Sequence, residues 1–214
     1  MIQIKQFIVN PIQENCYILS DESKEAVIID CGALFERDRN AIADYIATES
    51  LKPVAHLLTH AHFDHLFGAR FLADAYGLLP RFAAADAAIY AASERQAAAM
   101  FGQVISFDPH AAGTPVADGD IISFGTHTIT VIATPGHSPG GVCYYCADEG
   151  IIFSGDTLFR MSIGRTDLPG GDYRTLITSL TDLAAQLPDN VRVYPGHGPA
   201  TTIADERHAN PYIV

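Results

Sequence analysis

Basic residues are scarce in this chain: 13 lysines and arginines stand against 25 carboxylates, for a formal net charge of −12. Gripping a phosphate backbone takes clustered Lys and Arg, so nucleic acid is excluded as a partner and a small or medium-sized substrate is expected. Long apolar runs are missing as well. No stretch approaches the roughly 18–20 residues that a membrane span needs, and no membrane partner is expected. Residues 1–9 lack a basic segment followed by an apolar stretch and a small-residue cleavage site. They read as an opening strand, not a signal peptide, which makes the cytoplasm the expected compartment. Cysteine is sparse too, with four residues at 16, 31, 143 and 146, and a chain of this size needs no disulfide framework. Cys143 and Cys146 have CxxC spacing. They lie in a predicted strand, however, where residues i and i+3 point to opposite faces, and no second CxxC completes a zinc knuckle. Low-complexity tracts are absent. With 48% hydrophobic and 18% charged residues, the chain is globular. One domain over residues 1–214 is expected, large enough to bury a substantial core.

The patterning that is present alternates between strand and helix. Strands are predicted over residues 2–9, 14–20, 25–30, 54–58 and 81–84, with helices over 36–50, 66–76 and 87–101. The second half repeats the scheme. Strands are predicted over 121–124, 126–133, 142–146, 151–154 and 191–194, a helix over 173–187, and a short one around 203–209. Two strand-rich blocks, each followed by helices, imply an α/β fold of two sheets packed face to face with helices outside.

Against this background one segment stands apart. His60-Ala61-His62-Phe63-Asp64-His65 packs four potential metal ligands into six residues. Each imidazole or carboxylate buried without a partner costs several kcal/mol, and a divalent cation reverses that cost. Further candidates lie at predicted strand ends: His137 in Thr134-Pro-Gly-His-Ser138, Asp156 in Ser154-Gly-Asp156, and His197 in Tyr194-Pro-Gly-His-Gly198. Seven such ligands suit two metals better than one. In an extended segment residues 60, 62 and 64 project to one side, and a helix start would let His65 turn back. His60 and His62 can then hold one ion while Asp64 and His65 hold its neighbour. Glycines at 136, 155 and 196 would let the backbone approach the ions. Asp30 and Thr59 are candidates for orienting an imidazole or, equally, for capping strand ends. His56, His110 and His127 are read as structural or surface residues, and His208 has no metal context.

Together these motifs resemble the metallo-β-lactamase superfamily and, within it, the glyoxalase II (hydroxyacylglutathione hydrolase) group. The resemblance runs through Thr59–His65, Thr134–Gly141, Ser154–Phe159, Gly164-Arg-Thr-Asp167 and Tyr194–Pro199. It implies an αββα sandwich of two mixed sheets with the metals at one edge. It also implies that His60, His62 and His137 bind one ion, that Asp64, His65 and His197 bind a second, and that Asp156 bridges them. The implied cofactors are two divalent metal ions, zinc foremost, with iron and manganese as alternatives. The implied activity is hydrolysis of a glutathione thioester such as S-D-lactoylglutathione by a metal-bridging hydroxide, with Asp64 orienting the nucleophile. A thiolate leaves without acid assistance, because its conjugate acid is far stronger than an alcohol or an amine. Only 17 residues follow His197, so the chain resembles the short form without a C-terminal helical glutathione-binding extension. Arg165 is the candidate anchor for a substrate carboxylate, with a salt bridge inside its loop as the alternative. The rival functions are a mono-iron persulfide dioxygenase of the same superfamily, a lactonase, a β-lactamase, and a metal-binding protein without turnover. The sequence does not indicate an oligomeric state.

Overall fold

In the computed structural model, which describes residues 1–213, the first third of the chain forms a five-stranded sheet. Its strands are β1 (Gln3–Val9), β2 (Glu14–Ser20), β3 (Glu25–Ile29), β4 (Lys52–Leu57) and β5 (Pro80–Arg81), in that spatial order. β1, β2 and β3 pair antiparallel through short turns. β3, β4 and β5 pair parallel, because the crossovers between them carry α1 (Glu36–Thr48) and α2 (Ala69–Tyr76). Two short helices, α3 (Ala87–Ala91) and α4 (Ser93–Phe101), then lead to the second half.

The second sheet contains β6 (Ile121–Phe124), β7 (His127–Ala133), β8 (Val142–Cys146) and β9 (Ile151–Gly155) as an antiparallel meander. A small hairpin of β10 (Leu158–Phe159) and β11 (Ser162–Ile163) follows. α5 (Tyr173–Gln186) then crosses over to place β12 (Arg192–Pro195) parallel to β9, with β13 (Thr201–Thr202) and α6 (Ile203–Ala209) closing the edge. The spatial order is β13-β12-β9-β8-β7-β6.

Strand alternation sorts the side chains into layers. Tyr17, Leu19, Val27 and Ile29 of the first sheet meet Phe124, Val131, Tyr144 and Phe153 of the second in the central core. On the outer face of the first sheet, Ile18 and Ile28 pack against Ile42 and Ile46 of α1 and Leu72 of α2. On the outer face of the second, Ile152 and Val193 receive Leu176, Leu180 and Leu183 of α5. These are the four layers of an αββα sandwich. Cys146 belongs to the central core and Cys143 to the outer layer, on opposite faces of β8, and both are free thiols. No helix among the described residues is long and apolar enough to cross a membrane.

Three predicted elements differ in detail. The helix expected over 87–101 is broken at Ala92, where the Gln96 side-chain amide donates to the Ile89 carbonyl (3.1 Å) and caps α3 from outside. The strand expected over 81–84 is only Pro80–Arg81. The helix expected from Leu66 starts at Ala69, because residues 63–65 form a separate 3₁₀ turn.

Hydrogen bonds join the two sheets at the edge where several strands end. The Tyr144 hydroxyl donates to the Leu58 carbonyl and Val142 N–H to the Thr59 carbonyl, each at 2.8 Å. From β2, the Tyr17 hydroxyl donates to the Pro195 carbonyl, and Asn15 donates from its side chain to Pro195 and Gly198 and from its N–H to Gly196. The loops after β4 and β12 are therefore each tied to the opposite sheet. Leu180 is fully buried where α5 meets the second sheet. Leu180→Ala should cost about 3 kcal/mol, read as a lowered urea midpoint with an unchanged slope.

Candidate metal centre

Every sequence-predicted ligand arrives at this edge, each just beyond a strand end. The local geometry of the cluster differs from a straight extended run. His62 is extended (φ −69°, ψ 148°), but Phe63–His65 curl into a 3₁₀ turn, with His65 N–H bonded to the His62 carbonyl at 3.1 Å. Asp64 therefore does not continue the 60–62 series, and the turn carries it with His65 toward His197. Asn10 holds that turn by donating to the Asp64 carbonyl at 2.9 Å.

The first group is His60, His62 and His137. His137 Nε2 lies 2.8 Å from His62 Nδ1 and 3.2 Å from His60 Nε2. The neighbouring hydrogen bonds decide the tautomers. The Thr59 hydroxyl spends its hydrogen on Asp30 Oδ2 (2.8 Å), so at 3.1 Å it accepts from His60 Nδ1, leaving Nε2 of a neutral ring with a bare lone pair. His137 Nδ1 faces the Arg165 carbonyl at 2.7 Å, which can only accept, so His137 Nε2 is bare as well. Two buried lone pairs thus point at each other, an arrangement that a cation makes favourable. Burial and neighbouring imidazoles hold His60 well below its ordinary pKa, and the same causes bring His62 to about 4.

The second group is Asp64, His65 and His197. His197 Nε2 is 3.2 Å from Asp64 Oδ2, and His65 Nε2 is 3.8 Å from the same oxygen. Asp156 faces both groups: Oδ1 lies 3.4 Å from His65 Nε2, and Oδ2 lies 3.7 Å from both His137 Nε2 and His197 Nε2. Two buried atoms in this group, His65 Nε2 and Asp156 Oδ1, have no hydrogen-bond partner. Such orphaned atoms suit a positive ion, and imidazole nitrogen with carboxylate oxygen is a donor set for divalent metals. Burial works against charge on His65, but Asp30, Asp64 and Asp156 outweigh it and raise its pKa well above the ordinary value. For Asp156 burial is likewise overcome, by the imidazoles of His65, His197 and His137, and its pKa falls well below the carboxylate range.

Asp30 has a defined place beside this group. Its backbone is left-handed (φ +52°), and its carboxylate accepts both the N–H and the hydroxyl of Thr59 at 2.8 Å. Its Oδ2 also lies 3.0 Å from His65 Nδ1, at an angle that falls short of a hydrogen bond. One carboxylate therefore positions His60, through Thr59, and faces His65 directly. Glycine is required at 196, where a Cβ would lie 2.7 Å from His65 Cε1 and collide with Asp156. At Gly136 the tight neighbour is the backbone of Leu176 in α5, so its freedom serves packing and not the cluster.

Two contributors escaped the sequence reading. Asp86, fully buried, accepts from Ala61 N–H (2.9 Å), the Ser138 hydroxyl (2.8 Å) and Gly140 N–H (2.6 Å), fastening the loops of His60–His62 and His137 to each other. It sits in an alanine-rich stretch with no motif around it. Glu14, also fully buried, accepts from Gly32 N–H at 2.9 Å and lies with Asp30 and His65 in a further cluster. Burial pushes its pKa well above the ordinary value. Arg165 reaches the site through its carbonyl, while its guanidinium makes two 2.7 Å hydrogen bonds to Asp167. His56 is buried without a partner, His127 lies between Asp21 and Glu149, and His110 and His208 are exposed. Glu206 receives Met161 N–H and the Thr201 hydroxyl, clasping α6 to the β10–β11 hairpin. A cavity of about 370 Å³ opens over the cluster, walled by Phe63, Met100, Phe159, Ile163 and Leu168 beside the polar residues.

The family model described as Metallo-beta-lactamase superfamily matches residues 9–197. "Probable metallo-hydrolase YqgX" of Bacillus subtilis is 34% identical, over 96% of this chain and 94% of its own length. Hydroxyacylglutathione hydrolase GloC of Haemophilus influenzae is 32% identical, over 96% of this chain and 95% of its own. The crystal structure of BLEG-1 B3 metallo-beta-lactamase has a TM-score of 0.86 at 38% identity, covering 99% of this chain and all of that one. TTHA1623, solved in a di-iron-bound form, has a TM-score of 0.86 at 37% identity, covering 98% of this chain and all of that one.

The depressed pKa of His62 sets a pH dependence for the metal-free protein. Its folded value of about 4 lies below the ordinary 6.5, so unfolding takes up a proton between the two. Stability present above pH 6.5 is therefore lost progressively as pH falls toward 4. His62→Gln should flatten this limb of the melting-temperature profile of chelator-treated protein, and an unaltered slope would contradict the assignment.

Proposed function

This chain belongs to the metallo-β-lactamase superfamily, and from that membership we propose that it is a binuclear metal-dependent thioester hydrolase, with a glutathione thioester such as S-D-lactoylglutathione as its substrate. The observation that carries the two-metal part is the pair of bare imidazole nitrogens, His60 Nε2 and His137 Nε2, 3.2 Å apart, beside the orphaned His65 Nε2 and Asp156 Oδ1. His60, His62 and His137 would hold one ion and Asp64, His65 and His197 the other. Asp156 would join them, since its carboxylate lies near His137 of the first group and His65 and His197 of the second. The relative solved with two irons supports two ions at such a cluster, and this donor set accepts zinc, iron or manganese. The relative named hydroxyacylglutathione hydrolase supports the thioester.

When bound, the ions supply a water acidified toward neutrality and positive charge for the carbonyl oxygen. The chain's own residues do the rest. Asp64, whose pKa is kept low by His65 and His197 against its burial, stays ionised beside the cavity, where it would orient the attacking water by accepting a hydrogen bond. Asp30 and Thr59 keep the His60 ring in one tautomer, and the Arg165 carbonyl does the same for His137. The thiolate departs without a general acid, consistent with a cavity whose apolar wall offers none.

Metal analysis joined to a thiol-release assay tests the reading. Two ions per chain and thiol release from S-D-lactoylglutathione are expected. Asp156→Ala should lose metal and at least about a hundredfold in kcat/KM. One iron per chain, with oxygen uptake on glutathione persulfide and no thioester cleavage, would overturn it. Arg165 anchors a substrate carboxylate only by exchanging Asp167 for it. On that role Arg165→Ala raises KM about tenfold with kcat nearly unchanged, whereas an unchanged KM leaves Arg165 as Asp167's partner alone.

A further inference from the structure

The cavity over the cluster does not end at its own wall. It adjoins a second hollow of about 390 Å³, and the two share His62, Phe63, Met100, Arg165 and Leu168. That hollow continues between Ala99 of α4 and Pro169. There it meets a third, of about 590 Å³, beside Ile89 and Pro139, with Gln96, Ala99 and Pro169 common to both. The result is one groove that starts at His62 and runs along α4.

The lining decides what the groove accepts. In the middle hollow the polar side chains are His62, Gln96 and Arg165. His62 belongs to the cluster, the Gln96 amide nitrogen donates to the Ile89 carbonyl, and two nitrogens of the Arg165 guanidinium bond Asp167. A polar ligand would lose its water here and find few polar groups to replace it. The remaining wall is Phe63, Ala99, Met100, Leu168 and Pro169, and Met100 is 51% exposed at the junction. An exposed methionine beside apolar neighbours is an adaptable contact for a chain of methylenes.

We propose that this groove binds an extended apolar acyl arm of a glutathione thioester, longer and less polar than a lactoyl group, while the thioester carbonyl lies over the cluster. The proposal rests on the thioester reading for the name of the substrate, and on the continuity of the two cavities for the place of its arm. It makes residues 96–100 of α4 and the 165–169 loop the determinants of chain length.

The first test needs no turnover. Straight-chain alkanethiols of two to ten carbons are titrated calorimetrically into metal-loaded protein. Affinity should rise about fourfold per methylene until the groove is full. Ala99→Phe, a change at an exposed position on α4, should bring the affinities for ethanethiol and decanethiol together while metal content and melting temperature stay unchanged. Met100→Lys, which places a charge at the junction, should weaken decanethiol selectively and serves if the first variant folds poorly. A flat series in the parent protein, or a gain that survives both variants, overturns the groove. So does a variant that changes only self-association, which would assign the groove to a second copy of the chain. The second test lengthens the acyl chain of glutathione thioesters. A rise in kcat/KM with acyl length supports the assignment, and no rise refutes the groove's role in the substrate. If no thioester is cleaved, the hydrolase reading fails while the alkanethiol series still judges the groove.

Discussion

Bare imidazole nitrogens and carboxylates crowded into one buried edge are the constraint around which this molecule is organised. His60 Nε2 and His137 Nε2 face each other at 3.2 Å, and His65 Nε2 and Asp156 Oδ1 have no hydrogen-bond partner although both are buried. Such a cluster opposes folding unless something else holds it in place. What holds it is a ring of hydrogen bonds that reach across the sandwich. Asp30 grips Thr59, Asp86 joins the loops of Ala61 and Gly140, and Asn15 and Tyr17 hold the Pro195–Gly198 loop from the other sheet. The apolar layers supply the stability that this arrangement consumes. In the proposed function, bound ions return part of it.

The same edge explains why the chemistry and the groove adjoin. His62 belongs to the cluster on one side and to the groove wall on the other. α4 and the 165–169 loop, which form that wall, lie outside both sheets. Arg165 shows the division within a single residue: its carbonyl orients His137, while its side chain, paired with Asp167, faces the groove. A scaffold that fixes the reaction centre on strand ends and leaves recognition to peripheral segments follows from these placements.

Much of the fold and of the ligand set was legible because its signals are local. Four ligands in six residues, and glycine before His137, Asp156 and His197, need no knowledge of distant contacts. The strands of both sheets announced themselves through alternation, and Cys143 and Cys146 fell on opposite faces as the two-residue period requires. Misreadings arose where a distant or competing interaction intervened. The 3₁₀ turn at Phe63–His65 displaced Asp64 from the extended series. The Gln96 side chain ended α3 where helix propensity alone would have continued it. Asp86 stayed invisible, since a lone acid among alanines looks like a solvated surface residue and only its three donors reveal otherwise.

By itself the sequence determined the layer scheme and the set of candidate ligands, because strand and helix periodicity and ligand spacing are properties of neighbouring residues. Tertiary structure alone decided which nitrogen of His60 and of His137 is bare. That depends on Asp30, Thr59 and the Arg165 carbonyl, which only the folded chain brings against His60 and His137. It also decided that Arg165 spends its fork on Asp167, and that the cavity continues into an apolar groove. Such facts are set by contacts between segments far apart in the chain, and no local pattern records them.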